Sequence, residues 1–251
     1  MPFRDDFDGP GLDTDVWLPH YLPAWSSRAQ TRASYRLEDS CLVLEVPGHH
    51  PVWPLHEPPL RVSAVQSGSW SGPVGSPRGQ QRFGEGLLVN EEQPRFEGWL
   101  PASGHVEIRC RMTLSPRSMG ALWLAGFEDD PEQLRCGELC VVEIFGRSVE
   151  RSAQGASCEV GVGIKAFRDP SLTQDFAAAR LPIDVAEFHT YAVDWDATEA
   201  SFSVDGGELR RCPRPPTYPL QLMVAVYDFP EWSVGGDDHL VPELVVDHIA
   251  G

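Results

Sequence analysis

The stretch His105–Leu114 constrains the fold more than any other, because it holds a period of two along its whole length. Val106, Ile108, Cys110, Met112 and Leu114 alternate with His105, Glu107, Arg109, Arg111 and Thr113. That spacing predicts a β-strand with one face on a core and the other in water. Related runs occur at Leu42–Val46, Arg61–Trp70, Glu159–Phe167, Phe188–Trp195, Ala200–Val204, Leu220–Tyr227 and Leu244–Ile249. Ala121–Gly126 is apolar throughout and reads as a strand buried on both faces. Turns are plentiful: 23 Gly and 23 Pro punctuate the chain, and Asp205-Gly206 is a hairpin signal. Asp175–Arg180 is the one candidate helical turn. About ten strands with almost no amphipathic helix predict an all-β, antiparallel sandwich over residues 1–251 as one domain.

Charge narrows the function. The formal net charge of −17 opposes nucleic acid and anionic membrane as partners, since both are bound through clustered basic residues. Lys165 is the single lysine among 20 basic residues. No 18-residue apolar run occurs, and Met1-Pro2-Phe3-Arg4 opens no leader-like segment. The expectation is a cytoplasmic chain as given, with its six cysteines reduced; a secreted chain trimmed of its leader would read the same. Pro47–Pro59 reads as a long surface loop whose histidines, His49, His50 and His56, are solvated and lack the spacing of a metal motif. Ser71–Gly79 is glycine-rich but lacks the order of a phosphate-binding loop. Gly161 and Gly163 leave one strand face free of side chains, so something approaches the backbone there.

Chemistry concentrates in Cys136–Gly146. In a regular strand Glu138 and Glu143, five apart, fall on opposite faces, and Glu143 joins the core. One extra residue at Val141-Val142, a β-bulge, removes the conflict. Glu138, Cys140 and Glu143 then share a face, with Leu139, Ile144 and one valine on the buried side. Taken alone, the stretch reads first as a half-buried strand with two solvated carboxylates.

Beyond this stretch, the chain carries in turn Phe7-Asp8-Gly9 with Leu12-Asp13-Thr14, Gly104–Arg109, Ala121–Leu124, Phe188–Trp195 with Val204-Asp205-Gly206, and Leu244–Ile249. In these motifs and their order it resembles the family 16 glycoside hydrolases, the laminarinase and lichenase relatives. The resemblance implies a concanavalin-like jelly roll with an open sugar-binding cleft. Its bulged motif, Glu-x-Asp-x-x-Glu, falls on Glu138–Glu143, with Cys140 in place of the middle Asp. It therefore implies Glu138 as nucleophile and Glu143 as general acid/base of a retaining hydrolase. Such an enzyme needs carboxyls about 5–5.5 Å apart, one ionised and one protonated. A neutral thiol at Cys140 weakens the orientation of Glu138 and the support for a protonated Glu143.

Other departures from the family pattern are Leu134-Arg135-Cys136 where a Trp often stands, Gly163 and Lys165 near a usual cleft His, and Met223 for an Asn. Trp123, Trp25 and Trp232 are candidate sugar-stacking residues, and Asp247 a candidate ligand of the structural calcium that some members hold; no cofactor is required. The function implied is a retaining endo-β-glycosidase acting on an oligo- or polysaccharide, first of all a β-1,3- or β-1,3/1,4-glucan. The acidic charge disfavours sulfated galactans unless a local basic patch overrules it. Cys140 and the missing cleft residues leave two alternatives: a carbohydrate-binding member that cuts weakly or not at all, and a transglycosylase.

Overall fold

Two antiparallel sheets carry the chain, and what separates them is which strands have apolar residues on both faces. The computed structural model describes residues 2–53, 55, 58–129, 134–236 and 239–251. One sheet has eight strands, in the order Gly207–Pro213, Glu199–Val204, His189–Trp195, Gly104–Thr113, Glu243–Ala250, Cys41–Glu45, Ser34–Glu38, with Arg4–Asp5 also paired to Glu243–Ala250. The other has seven, in the order Glu150–Ser152, Gly155–Lys165, Glu138–Phe145, Ser118–Gly126, Leu220–Asp228, Arg61–Gln66, with Asp175–Leu181 also paired to Gly155–Lys165. This is the expected all-β sandwich.

The main core lies between the sheets. Val106, Ile108, Cys110 and Met112 enter it from the first sheet, as their alternation predicts. Leu122, Leu124, Leu139, Val141, Ile144, Val224 and Val226 enter from the second. Burying each such aliphatic side chain contributes roughly 1.5–3 kcal/mol. The alternate residues of the seven-stranded sheet, Ala121, Trp123, Cys140, Met223, Ala225 and Tyr227, form a second cluster on its outer face with Leu22, Trp25, Trp53 and Leu60. Loops therefore wrap this sheet's outer face, which is why its central strands are apolar on both sides.

Several expectations change. Asp175–Leu181 is an edge strand, not a helical turn, because its backbone pairs residue by residue with Cys158–Ile164. Tertiary pairing overrides the helix propensity of Ala177, Ala178 and Ala179. Pro47–Pro59 is not wholly a surface loop: His50 is buried with Nε2 2.8 Å from the Val62 carbonyl oxygen, and Trp53 lies in the second cluster. His56 lies outside the described residues. All six cysteines are buried and unbonded to one another.

The glycine face of Gly155–Lys165 is approached, as expected, but by the protein itself. A Cβ on Gly161 would stand 2.6 Å from the Phe176 ring, and one on Gly163 2.2 Å from the Asp175 carbonyl oxygen. Gly163 also has φ of +134°, which side-chain-bearing residues rarely adopt. Gly163→Ala is expected to destabilise the protein by more than about 1 kcal/mol. The loss should appear as a lower denaturation midpoint, with amide exchange accelerating first in 175–181.

Candidate active site

The site is built on the bulge. Along the Glu138–Phe145 strand, Leu122 pairs with Val142 and Trp123 with Cys140, so Val141 has no partner on that side. The opposite neighbour agrees, since Gly161 pairs with Glu143 and Gly163 with Cys140. Two residues of one strand thus span three of the other. The insertion turns Glu138, Cys140 and Glu143 to the outer face and leaves Leu139, Val141 and Ile144 in the inter-sheet core. Val142, buried between them, also borders the cleft.

The three residues line a cleft of about 460 Å³ on the outer face of the seven-stranded sheet. Glu138 is only 9% exposed. Burial is the main cause that pushes its carboxyl up to about 7; the Lys165 ammonium opposes this, and Glu143 and Glu128 add to it. Cys140 Sγ lies 3.9 Å from Glu138 Oε2, a weak thiol contact. Burial, with the Glu138 charge beside it, holds the Cys140 thiol well above its ordinary value, so it stays neutral.

Lys165 is the partner that sequence reasoning did not supply. Its Nζ donates to Glu143 Oε2 at 2.7 Å and stands 4.6 Å from the centre of the Phe176 ring. Burial alone would lower the ammonium, but the carboxyl groups of Glu143 and Glu138 outweigh it and hold Lys165 protonated. Its position is fixed by register, because Lys165 pairs with Glu138 across the strand boundary. The sequence marks it as the single lysine of the chain, but nothing in its spacing points to Glu143.

The other candidates divide. Trp123 lines the cleft, its ring 6.3 Å from that of Tyr227. Trp232 lines it too, stacked at 4.1 Å on Phe229 and 6.1 Å from Phe145. Trp25 does not: it is 3% exposed, packs against Gly79 and donates its indole N–H to the Gln80 carbonyl at 2.8 Å. It is a core residue because the loop through Gln80 closes over it.

Asp247 stands on the other sheet, bonded to Arg109 at 3.1 Å and to His248 at 2.9 Å. Among the described residues, no group of three or more His, Cys, Asp or Glu is placed to hold a metal. Met223 is fully buried beside Trp123 and adds no polar atom to the cleft. Tyr21 and Tyr227, packed edge to face at 5.7 Å, were not foreseen; burial pushes the Tyr21 phenol up to about 12.

A raised carboxyl has a sign that stability must follow. Glu138 titrates near 4.5 when unfolded and about 7 when folded, so the native state holds the extra proton between these values. Stability therefore falls as pH rises through that window, by on the order of 3 kcal/mol when complete. Glu138→Gln should match the wild type near pH 4.5 and exceed it at pH 8, read as the difference in Tm between the two proteins. A difference that does not depend on pH would remove the buried charge from this account.

Comparisons with known proteins bear on the family and the fold. The profile of glycosyl hydrolases family 16 matches residues 104–239. No curated protein sequence matches the chain. Among solved structures, a GlcNAcα1-4Gal-releasing endo-β-galactosidase from Clostridium perfringens superposes with a TM-score of 0.81 at 23% identity, over 100% of this chain and 61% of that one. The chain thus spans about three fifths of the length of that protein. A laminarinase from Flavobacterium sp. UMI-01 gives 0.68 at 16% identity, over 99% of this chain and 97% of that one. A prokaryotic β-1,3-1,4-glucanase (lichenase) derived from a mouse hindgut metagenome gives 0.63 at 15% identity, over 100% and 98%. These likenesses establish the fold, and the profile, covering more than half of the sequence, establishes the family: the chain belongs to family 16 of the glycosyl hydrolases.

Proposed function

We propose that the protein is a retaining endo-β-glycosidase in which Glu138 is the nucleophile and Glu143 the general acid/base. The observation that carries this reading is the bulge, which brings both glutamates to one cleft of a family 16 fold. In the first step the Glu138 carboxylate attacks the anomeric carbon as the glycosidic C–O bond breaks. The leaving oxygen takes the proton of Glu143, and a glycosyl ester forms on Glu138. In the second, Glu143 accepts a proton from water, whose oxygen displaces Glu138 and releases the sugar. Transfer to a sugar hydroxyl in place of water would make the same site a transglycosylase.

The charges of the site are arranged differently from what the first step needs. Glu138 is the carboxyl held up near 7, and Glu143 is tied to the Lys165 ammonium. For cleavage, the substrate's leaving oxygen has to take the place of Lys165 at Glu143, and the proton that Glu138 gives up has to pass to Glu143, leaving Glu138 as the carboxylate that attacks. Lys165 is a positioning residue in this scheme: its charge favours ionised Glu138 and its contact fixes the Glu143 side chain. The same contact favours a second reading, a cleft that holds sugar but cuts poorly.

For the substrate, the laminarinase and lichenase likenesses support a β-1,3- or β-1,3/1,4-glucan, and the higher TM-score of the endo-β-galactosidase supports a β-galactoside chain. Trp123 and the Trp232–Phe229 stack offer rings on which sugar faces pack.

A reducing-end assay on laminarin, lichenan and a neutral β-galactan, from pH 4 to 8, decides between cutting and mere binding. Cleavage of one of them, lost by at least about 10³-fold in Glu138→Gln, is expected. Binding without cleavage at every pH would leave only the second reading. In the cleaving case, Lys165→Met should move the ascending limb of the kcat/KM profile to higher pH. The reason is that Glu138 loses the cation that lowers it. An unmoved limb would take Lys165 out of the scheme.

A further inference from the structure

The Glu138–Lys165 pair stands at the end of its ladder. Where Gly155–Lys165 runs beside Glu138–Phe145, Lys165 and Glu138 are the last partners, and Lys165 is also the last residue of its strand. Strand ends fray where no further pair holds them. Here the residue before Glu138 and the loop after Lys165 are joined through side chains instead. The Gly137 backbone N–H donates to Tyr218 Oη at 2.8 Å, and the Tyr218 hydroxyl donates to Asp169 Oδ2 at 2.6 Å. Asp169 is buried, and its other oxygen accepts from the backbone N–H and the hydroxyl of Ser171 at 2.8 and 2.6 Å. Burial, with the Asp169 carboxylate beside it, pushes the Tyr218 phenol up, so it keeps the proton it donates.

Packing follows the same line. A Cβ on Gly137 would collide with Leu172 Cδ1 and stand 2.9 Å from Tyr218 Oη, so only glycine lets the loop close on the strand. Between Lys165 and Asp169, the Asp169 N–H donates to the Ala166 carbonyl at 2.9 Å, closing a turn in which Phe167 has φ of +53°. A phenylalanine rarely adopts that left-handed backbone, and it persists only where the surroundings hold it. Phe167 lines the cleft, as do Glu138 and Lys165. The Arg168–Glu128 ion pair at 2.8 Å fastens one side of this turn, and the Tyr218 bond ties it to the strand that carries the glutamates.

We propose that Tyr218 and Asp169 are positioning residues of the reacting pair, closing the open end of the ladder so that Lys165 stays opposite Glu138 with its Nζ on Glu143. The role rests on the reading of Glu138 and Glu143 as nucleophile and acid/base, and adds what keeps their charges in register. Neither residue lines the cleft, so the effect passes through Gly137 and the 166–172 loop. Without the Tyr218 hydroxyl, the buried Gly137 N–H loses its acceptor and Asp169 its donor, and both groups gain by reopening the loop to water. Lys165 then moves off both glutamates. The Glu138 carboxyl rises further, because the ammonium is the group that lowers it. Glu143, Glu128 and Cys140 also face Glu138, and the change leaves them in place.

The test follows the Glu138 carboxyl by NMR titration of the full-length protein with isotope-labelled glutamate carboxyls. Its signal is the one missing from Glu138→Gln. In Tyr218→Phe the Glu138 midpoint should lie above the wild-type value by about half a pH unit or more. Asp169→Asn has one acceptor oxygen for the three donors of Tyr218 and Ser171. It should move the midpoint the same way, and it decides the matter if Tyr218→Phe does not fold. Lys165→Met should raise the midpoint by itself, and adding Tyr218→Phe should raise it no further. A merely structural loss would lower Tm and leave the titration of the folded protein where it was. An unmoved midpoint, or an equal rise in the Lys165→Met background, overturns the proposal. On a cleaved substrate, Tyr218→Phe should lose about five-fold or more in kcat with KM little changed, and the ascending limb should move to higher pH. Because the titration needs no substrate, the two readings fail separately. Cleavage with an unmoved midpoint sinks the positioning role alone, whereas a moved midpoint without cleavage sinks the hydrolase alone.

Discussion

One inserted residue in one strand decides what this cleft can do. Because strand side chains alternate, a regular Glu138–Phe145 strand would send Glu143 into the space held by Leu139, Val141 and Leu122. An ionised carboxylate there would cost several kcal/mol without a partner. The bulge at Val141 lets the same eight residues close the inter-sheet core and present two carboxyls outward. It is also why two consecutive valines are both buried, since one fills the core and the other borders the cleft floor. The neighbouring strand accommodates the change with Gly161 and Gly163, over which Phe176 and the Asp175 carbonyl close. Bulge, glycines and edge strand form one unit.

Where burial imposed a pattern, the sequence was legible. Gly104–Thr113 and Ser118–Gly126 have strong faces and were found, and the bulge followed from an alternation that two glutamates could not satisfy. Edge strands carried no such signal. Ser34–Glu38, Asp175–Leu181 and Gly207–Pro213 have little side-chain burial, and only backbone pairing to a neighbour makes them strands. In the site, Glu138, Cys140 and Glu143 were legible because they share a strand. The Lys165–Glu143 contact was not, because it crosses two strands at a distance of 22 in sequence. Trp25 was a candidate for sugar stacking and His50 a solvated loop residue, and both are buried, since the segments around them fold back over the sheet instead of into solvent.

Replacing an aspartate by Cys140 was expected to weaken the site by subtraction. The structure adds a charge as well. With Lys165 between them, the two glutamates and the ammonium carry one net negative charge when all are ionised. A proton lost from Glu138 is therefore felt by Lys165 and by Cys140. A neutral thiol beside Glu138 adds little screening of its own, and the lysine on the next strand supplies the favourable field that the carboxylate receives.

Net charge is a poor guide to such local fields. A value of −17 describes a surface on which acidic side chains outnumber basic ones, and many arginines spend their charge on carboxylates, as Arg36 does on Glu38, Glu45 and Glu243. Within the cleft the balance is different, because burial removes water and each unpaired group counts for more. Glu138 is held up by that loss of solvent, and Lys165 stays charged by answering two carboxyls. Both conflicts are answered inside the fold, one by a proton held on Glu138 and the other by the ion pair to Glu143.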